Sequence, residues 1–172
     1  NFDPASQMGA IVSTQHRDKI ESYLTLAQQE GGHVAFGGER LSITDGGRFL
    51  RPALLSGITN DMRVAQEEIF GPVLSVMTFE GQDEAVSIAN DSPYGLAASI
   101  WTKNIDKALG MSRRVRGGRT WINTTIAGGP GQPLGGYRQS GLGREAGMTG
   151  VEEYTEVKSV HVGIGKRDHW IS

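Results

Sequence analysis

The sequence predicts an α/β fold, a mostly parallel twisted sheet with flanking helices, on two observations. Segments with helical periodicity alternate with short runs rich in β-branched and aromatic residues, the arrangement of strands joined by helical crossovers. The run Val73 to Phe79 is nearly continuously apolar, as expected for a strand covered on both faces.

Taken in order, Ser13 stands at a helix N-cap position, Ile20, Tyr23, Leu24 and Ala27 follow at i, i+3, i+4 and i+7, and Gly31-Gly32 supplies the stop. His33 to Phe36 reads as a short strand closed by Gly37-Gly38. Phe49 to Leu55 reads as another, with Pro52 pointing to a sheet edge. After the Val73 strand, Asp83 to Asn90 reads as a short helix. Leu96 to Trp101 is a second buried strand, Asn104 caps a helix to about Arg114 with Ile105, Ala108, Leu109 and Ser112 on one stripe, and Arg119 to Asn123 is a third strand. A glycine-rich stretch follows. Tyr154 to Val162 alternates β-branched and charged residues, a pattern too polar for a sheet centre and suited to pairing with a neighbouring subunit. No internal repeat and no interdomain linker is evident.

The chain has 172 residues, 37% apolar and 21% charged, with a net charge of -2, an ordinary globular composition without a basic field for nucleic acid. Its longest apolar stretches fall far short of the roughly 20 residues of a membrane span, and no leader pattern opens it, so no membrane association and a cytoplasmic location are expected. There is no cysteine, which removes thiol nucleophiles, thiolate metal sites and disulfides together. Many of the 25 glycines cluster between Gly128 and Gly150 without a period, which indicates a folded, turn-rich segment.

Few short motifs carry chemistry. Gly141-Leu142-Gly143-Arg144-Glu145-Ala146 has dinucleotide-fingerprint spacing, but the polar residues Tyr137 to Ser140 before it are no lead-in strand, so a tight turn is the better reading. His16, His33, His161 and His169 are scattered, and no metal site is expected. Arg113, Arg114, Arg116 and Arg119 read as a solvated helix end. The acceptor patterns at Asn90 and Asn123 read as structural. Glu67 and Glu68, on composition alone, are a solvated pair before a buried strand.

Several runs taken together change that weighting. Glu67-Glu68-Ile69-Phe70-Gly71-Pro72-Val73 and Pro133-Leu134-Gly135-Gly136-Tyr137-Arg138-Gln139-Ser140-Gly141-Leu142-Gly143-Arg144-Glu145 resemble the C-terminal signatures of the aldehyde dehydrogenase superfamily. The resemblance extends from Asp3 through Pro52 to Leu55, Ala89 to Ala98, Trp121 to Asn123 and Tyr154 to Lys158. It implies aldehyde oxidation to a carboxylic acid through a cysteine thiohemiacetal and thioester, with NAD or NADP as cofactor. The family's cysteine, base, oxyanion asparagine and phosphate-binding domain precede the segment that this chain resembles.

The resemblance also implies roles for particular residues. Glu68 matches the acid that hydrogen-bonds the nicotinamide ribose hydroxyls, and Phe70 the aromatic against the nicotinamide. Glu145 matches an acid behind the family's base. Leu134 stands where the family often places an aromatic lining the aldehyde tunnel, and Gly128 to Gln132, with Gly128 and Gly129 as lining residues, form the adjacent substrate loop. Residues 1–150 are expected to be the C-terminal portion of the catalytic domain, and 151–172 the oligomerisation strand and tail, with homo-oligomers formed through 152–162. An Arg144–Glu156 ion pair is expected to tie loop to strand. The chain is therefore expected to be a fragment of an NAD(P)-dependent aldehyde dehydrogenase, inactive alone. The alternatives are a non-catalytic assembly module that kept the fold and, resting on residues 141 to 146, a small nucleotide-binding protein.

Overall fold

The computed structural model describes residues 4–43 and 46–165. It divides into two compact units, 1–93 and 94–172. The α/β class holds in both, and the structure refines the pairing.

In the first unit, helix α1 (Thr14–Gln29) starts where Ser13, in extended conformation, accepts the His16 N–H at 3.0 Å. Ile20, Leu24 and Ala27 form its buried stripe, as the spacing predicts. Strand β1 (His33–Phe36) follows, then β2 (Arg40–Leu41), β3 (Phe49–Leu50), β4 (Ala53–Ser56), helix α2 (Arg63–Gln66), β5 (Val73–Ser75) and helix α3 (Gln82–Asn90). The order in the main sheet is β1-β4-β5, with β1 antiparallel and β5 parallel to β4, while β2 and β3 pair antiparallel.

Two expectations are corrected here. The strand predicted over 49–55 is two strands, and the one after Pro52 is the middle of its sheet, not an edge. Proline has no N–H, so a ladder cannot run through it. The Arg51 N–H goes instead to Glu39 O (3.0 Å) and the Ala53 N–H to Pro72 O (2.8 Å). Gly37, at φ +66, lies against this junction, where a Cβ would run into the Pro52 carbonyl. The strand predicted over 73–79 is short and lies at the sheet edge, with Leu74 60% exposed. Its apolar run marks a face that the first unit leaves open.

Leu24, Ala27, Ala53, Leu55, Ile58 and Val64 form one buried cluster, and Ile20, Leu50 and Ile69 another. Leu55 is fully buried, a state that contributes about 1.5–3 kcal/mol for a leucine side chain.

The second unit opens with a strand, helix and strand: β6 (Ala97–Ile100), α4 (Ile105–Arg114) and β7 (Arg119–Ile122). The strands are parallel, with Ala97 opposite Arg119 and Ile100 opposite Ile122. Asn104 caps α4 by accepting the Lys107 N–H at 2.9 Å. A 3₁₀ turn (Arg138–Ser140), an antiparallel bridge between Leu134 and Glu145, and helix α5 (Gly147–Glu152) complete the regular structure. The predicted strand over 154–162 forms no ladder among the described residues, and Tyr154 and Val157 stand fully in solvent at 93% and 101% exposure. Backbone N–H and C=O groups become a strand only against a partner, and the described residues offer none there. The tail beyond Gly165 lies outside the described residues.

Candidate functional site

In the first unit the candidate residues sit on the turn between α2 and β5. Glu67 leaves α2 in extended conformation. Ile69 is buried with Ile20 and Leu50, so its neighbours Glu68 and Phe70 are both exposed. Phe70 has φ +56, a left-handed conformation uncommon for a bulky residue. Helix α1 holds it there. His16 Nε2 donates to Phe70 O at 2.6 Å, and the two rings meet edge to face at 6.1 Å. A carbonyl only accepts, so this bond requires a proton on Nε2. Lys19 Nζ donates to Glu68 O at 3.1 Å, and a Cβ at Gly71 would strike the Ile20 side chain.

The two carboxylates that the sequence presents as a pair are separated by the structure. Glu67 accepts from the Tyr23 hydroxyl at 2.6 Å and from Arg63 Nε and Nη2 at 2.7 and 3.0 Å. These donors, Arg63 first and Tyr23 second, hold its carboxyl at a pKa of about 2. Glu67 is committed to joining α1 and α2. Glu68 keeps an exposed carboxylate beside an exposed aromatic ring, both on a backbone pinned at two carbonyls. A carboxylate accepts without donating, which suits two ribose hydroxyls, and the Phe70 ring is a flat apolar surface for an adjoining heterocycle.

In the second unit Leu134 and Glu145 are brought together, each backbone N–H donating to the other's carbonyl at 2.7 Å. Both line a cleft with Leu96, Arg144, Glu153 and Tyr154. Gly128 and Gly129 belong to the loop after β7. Gly128 has φ +135, a conformation that residues with a side chain rarely adopt.

Two expectations change in this unit, and the tight-turn reading of 141–146 holds. Arg144 makes no ion pair with Glu156 among the described residues. Its guanidinium donates to Gly136 O (3.0 Å) and Gly143 O (2.7 Å) and lies over the Tyr137 ring, while its N–H goes to Glu153 Oε1 at 3.1 Å. Both carbonyl bonds come from Nη1, so the guanidinium is anchored to near carbonyls of its own loop and not to a distant carboxylate. Arg119 is also not a solvated helix end. Standing on β7, it donates from Nη2 to Gln132 O (2.7 Å) and Pro133 O (3.0 Å). The 141–146 pattern forms left-handed turns at Gly141 and Gly143 followed by the Glu145 bridge, not a strand, turn and helix. The structural reading of Asn123 holds, since its side chain accepts from Thr102 N and donates to Thr102 O, both at 2.9 Å.

Sequence reasoning missed His16, Lys19 and Tyr23, which share one face of α1. Their helical spacing is visible in the sequence, but their partners lie 44 to 54 residues away.

The aldehyde dehydrogenase family model matches residues 1–160. The chain belongs to the aldehyde dehydrogenase family. It is 43% identical over 162 residues to betaine aldehyde dehydrogenase of Bacillus subtilis, covering 93% of this chain and 33% of that protein. The chain spans about a third of the length of the curated relatives it matches. Among solved structures, it is similar to an indole-3-acetaldehyde dehydrogenase in complex with NAD+, with a TM-score of 0.88 and 44% identity, over 92% of this chain and 32% of that one. It is likewise similar to betaine aldehyde dehydrogenase of Staphylococcus aureus in complex with NAD+, with a TM-score of 0.85 and 44% identity over 89% of this chain and 31% of the other. As a family member, the chain presents Glu68 and Phe70 on a turn held by α1, and Leu134 and Glu145 on a backbone bridge.

Proposed function

We propose that this chain supplies the nicotinamide-ribose contact and part of the aldehyde channel of an NAD-dependent aldehyde dehydrogenase. The observation that carries the reading is the Glu68–Phe70 turn, where an exposed carboxylate and an exposed ring are held by His16 and Lys19 at their backbone carbonyls. Glu68 accepts hydrogen bonds from the ribose hydroxyls, and Phe70 packs on the nicotinamide side. When bound, NAD takes up the hydride released on aldehyde oxidation. The NAD+ complexes among the similar structures favour NAD over NADP.

In the second unit, Leu134, Gly128 and Gly129 line the approach of the aldehyde, and Glu145 stands behind it. Betaine aldehyde and similar small aldehydes are the substrate class that the relatives suggest. The chain has no cysteine, so as 172 residues alone it is expected to show no turnover. Residues 152–162, with their exposed Tyr154, Val157, Val160 and Val162, pair with a second subunit in a homo-oligomer. No described helix is long and apolar enough to cross a membrane, and the cytoplasm is the expected location.

A second reading, a non-catalytic assembly module that kept the fold, is favoured by that same exposed segment. The test is calorimetric titration of NAD into the whole gene product carrying this chain, with aldehyde turnover measured in parallel. Turnover with NAD is expected, and Glu68→Gln is expected to raise KM for NAD about ten-fold or more, the weight of hydrogen bonds to a charged group. Absence of both binding and turnover in the unmutated protein would leave the assembly module as the reading.

A further inference from the structure

We propose that Arg119 is a positioning residue that fixes the loop after β7 and so sets which aldehydes the channel admits. The inference rests on the functional reading above. A guanidinium donates and never accepts, and here a single Nη2 bridges two successive carbonyls, Gln132 O at 2.7 Å and Pro133 O at 3.0 Å. Its planar head lies 5.8 Å from the centre of the Trp121 ring. Trp121 Nε1 donates in turn to Ala127 O at 2.5 Å. Residues 119 and 121 stand on one face of β7, two positions apart, so this strand holds both ends of the 127–133 segment.

What lies between is built to be held. The Gln132 N–H donates to Gly129 O at 3.1 Å, and Gly128 takes φ +135, a conformation that residues with a side chain rarely adopt. Just before the segment, Ile126 takes φ +54 with its side chain 89% exposed, a left-handed conformation that β-branched residues avoid. Such a conformation persists only where the surroundings over-determine it. The backbone leading to it is tied by Ser99 Oγ donating to Thr124 O at 2.5 Å and by the paired bonds between Asn123 and Thr102. Directly after the bridged carbonyls comes Leu134, locked to Glu145 through both backbone groups. A shift at residues 132–133 therefore passes straight to the side chains that line the cleft.

The test compares Arg119→Met, which keeps an apolar stem and removes the fork, with Arg119→Lys, which restores a cationic donor. Both are made in the whole gene product. Hydrogen exchange over residues 127–134 is read alongside kcat/KM for a short straight-chain and a bulky branched aldehyde, and KM for NAD. In Arg119→Met, exchange at Gln132 and Leu134 is expected to rise about ten-fold or more. The ratio of kcat/KM between the two aldehydes is expected to move roughly ten-fold, the weight of a methylene in a pocket, with KM for NAD unchanged. Arg119→Lys is expected to recover most of the protection. Unchanged exchange overturns the proposal, as does an equal fall for both aldehydes with a raised KM for NAD. If the unmutated protein turns over no aldehyde, the functional reading and the selectivity half of the proposal fall together. The exchange result then still decides whether Arg119 holds the loop.

Discussion

The two units are held together by different physics. In residues 4–93, α1 and the β1-β4-β5 sheet close over two clusters of buried aliphatic side chains, and Leu50, Leu55 and Ile20 are almost wholly withdrawn from solvent. In residues 94–165, the buried apolar side chains among those described are Ile100 and Ala108, while Leu96, Trp101, Ile126, Leu142 and Tyr154 are exposed. What organises that unit is polar and backbone geometry: the Arg119 bridge, the Arg144 anchor, the Leu134–Glu145 bond pair and close approaches at glycines. A core tolerates a lost contact in proportion to the area lost. A set of clamps fails one hydrogen bond at a time.

The largest expected effect tests the core. Leu55→Ala removes a fully buried side chain between α1 and the sheet, and a loss of about 2–5 kcal/mol is expected. Among the described residues the tryptophans are Trp101 and Trp121, both in the second unit, whose melting their emission follows, whereas circular dichroism at helical wavelengths draws mostly on α1, α2 and α3 of the first unit. The helical transition is expected to fall further than the tryptophan transition. Equal shifts would mean that the two units melt as one block and that the difference between core and clamps has no energetic meaning.

Gly118→Ala tests the other side. A Cβ there runs into the Gly135 carbonyl, so the start of β7 must move away from the segment leading to Leu134. A cost of about 1–3 kcal/mol is expected, carried by the tryptophan transition. Next in size, Ser13→Ala deletes the cap that accepts the His16 N–H and is expected to cost about 1 kcal/mol in urea titrations. The same change loosens the helix turn that carries His16, so a small rise in KM for NAD in the whole gene product would link the cap to the Phe70 carbonyl.

The smallest effect concerns Glu67. Its carboxyl titrates at about 2 in the folded chain against an ordinary value of 4.5. A depressed carboxylate stabilises the fold above the unfolded value, and that contribution is lost as pH falls from about 4.5 through about 2. Glu67→Gln is expected to flatten this part of the acid melting curve of the first unit while leaving the neutral melting temperature within a degree or two. An unchanged acid limb would place the Tyr23–Glu67–Arg63 contact outside the energetics of that unit.

Much of the fold was legible in the sequence because its signals are local. The Ser13 cap, the 20-23-24-27 stripe, the Gly31-Gly32 stop and the Asn104 cap each depend on residues within a turn or two of one another, and all appear in place. Strand pairing was less legible. Pro52 was read as an edge signal inside one strand, whereas it divides two strands and precedes a central one, because which strands flank it depends on residues about 20 positions away on either side. The segment 154–162 has strand periodicity yet no ladder, since alternation describes a strand's faces and not its partner.

The sequence by itself determined the family, the α/β class, the boundaries of α1, α3 and α4, and the placing of Glu68, Phe70, Leu134, Glu145, Gly128 and Gly129 in its motifs. The tertiary structure alone decided which of two adjacent glutamates is bound and which is exposed, that α1 holds the Phe70 backbone, and that Arg119 grips the loop before Leu134. The reason is physical. Helices and caps are written in short-range spacing, whereas a side chain's job is set by the carbonyl or hydroxyl that the fold brings to it from 13 to 54 residues away.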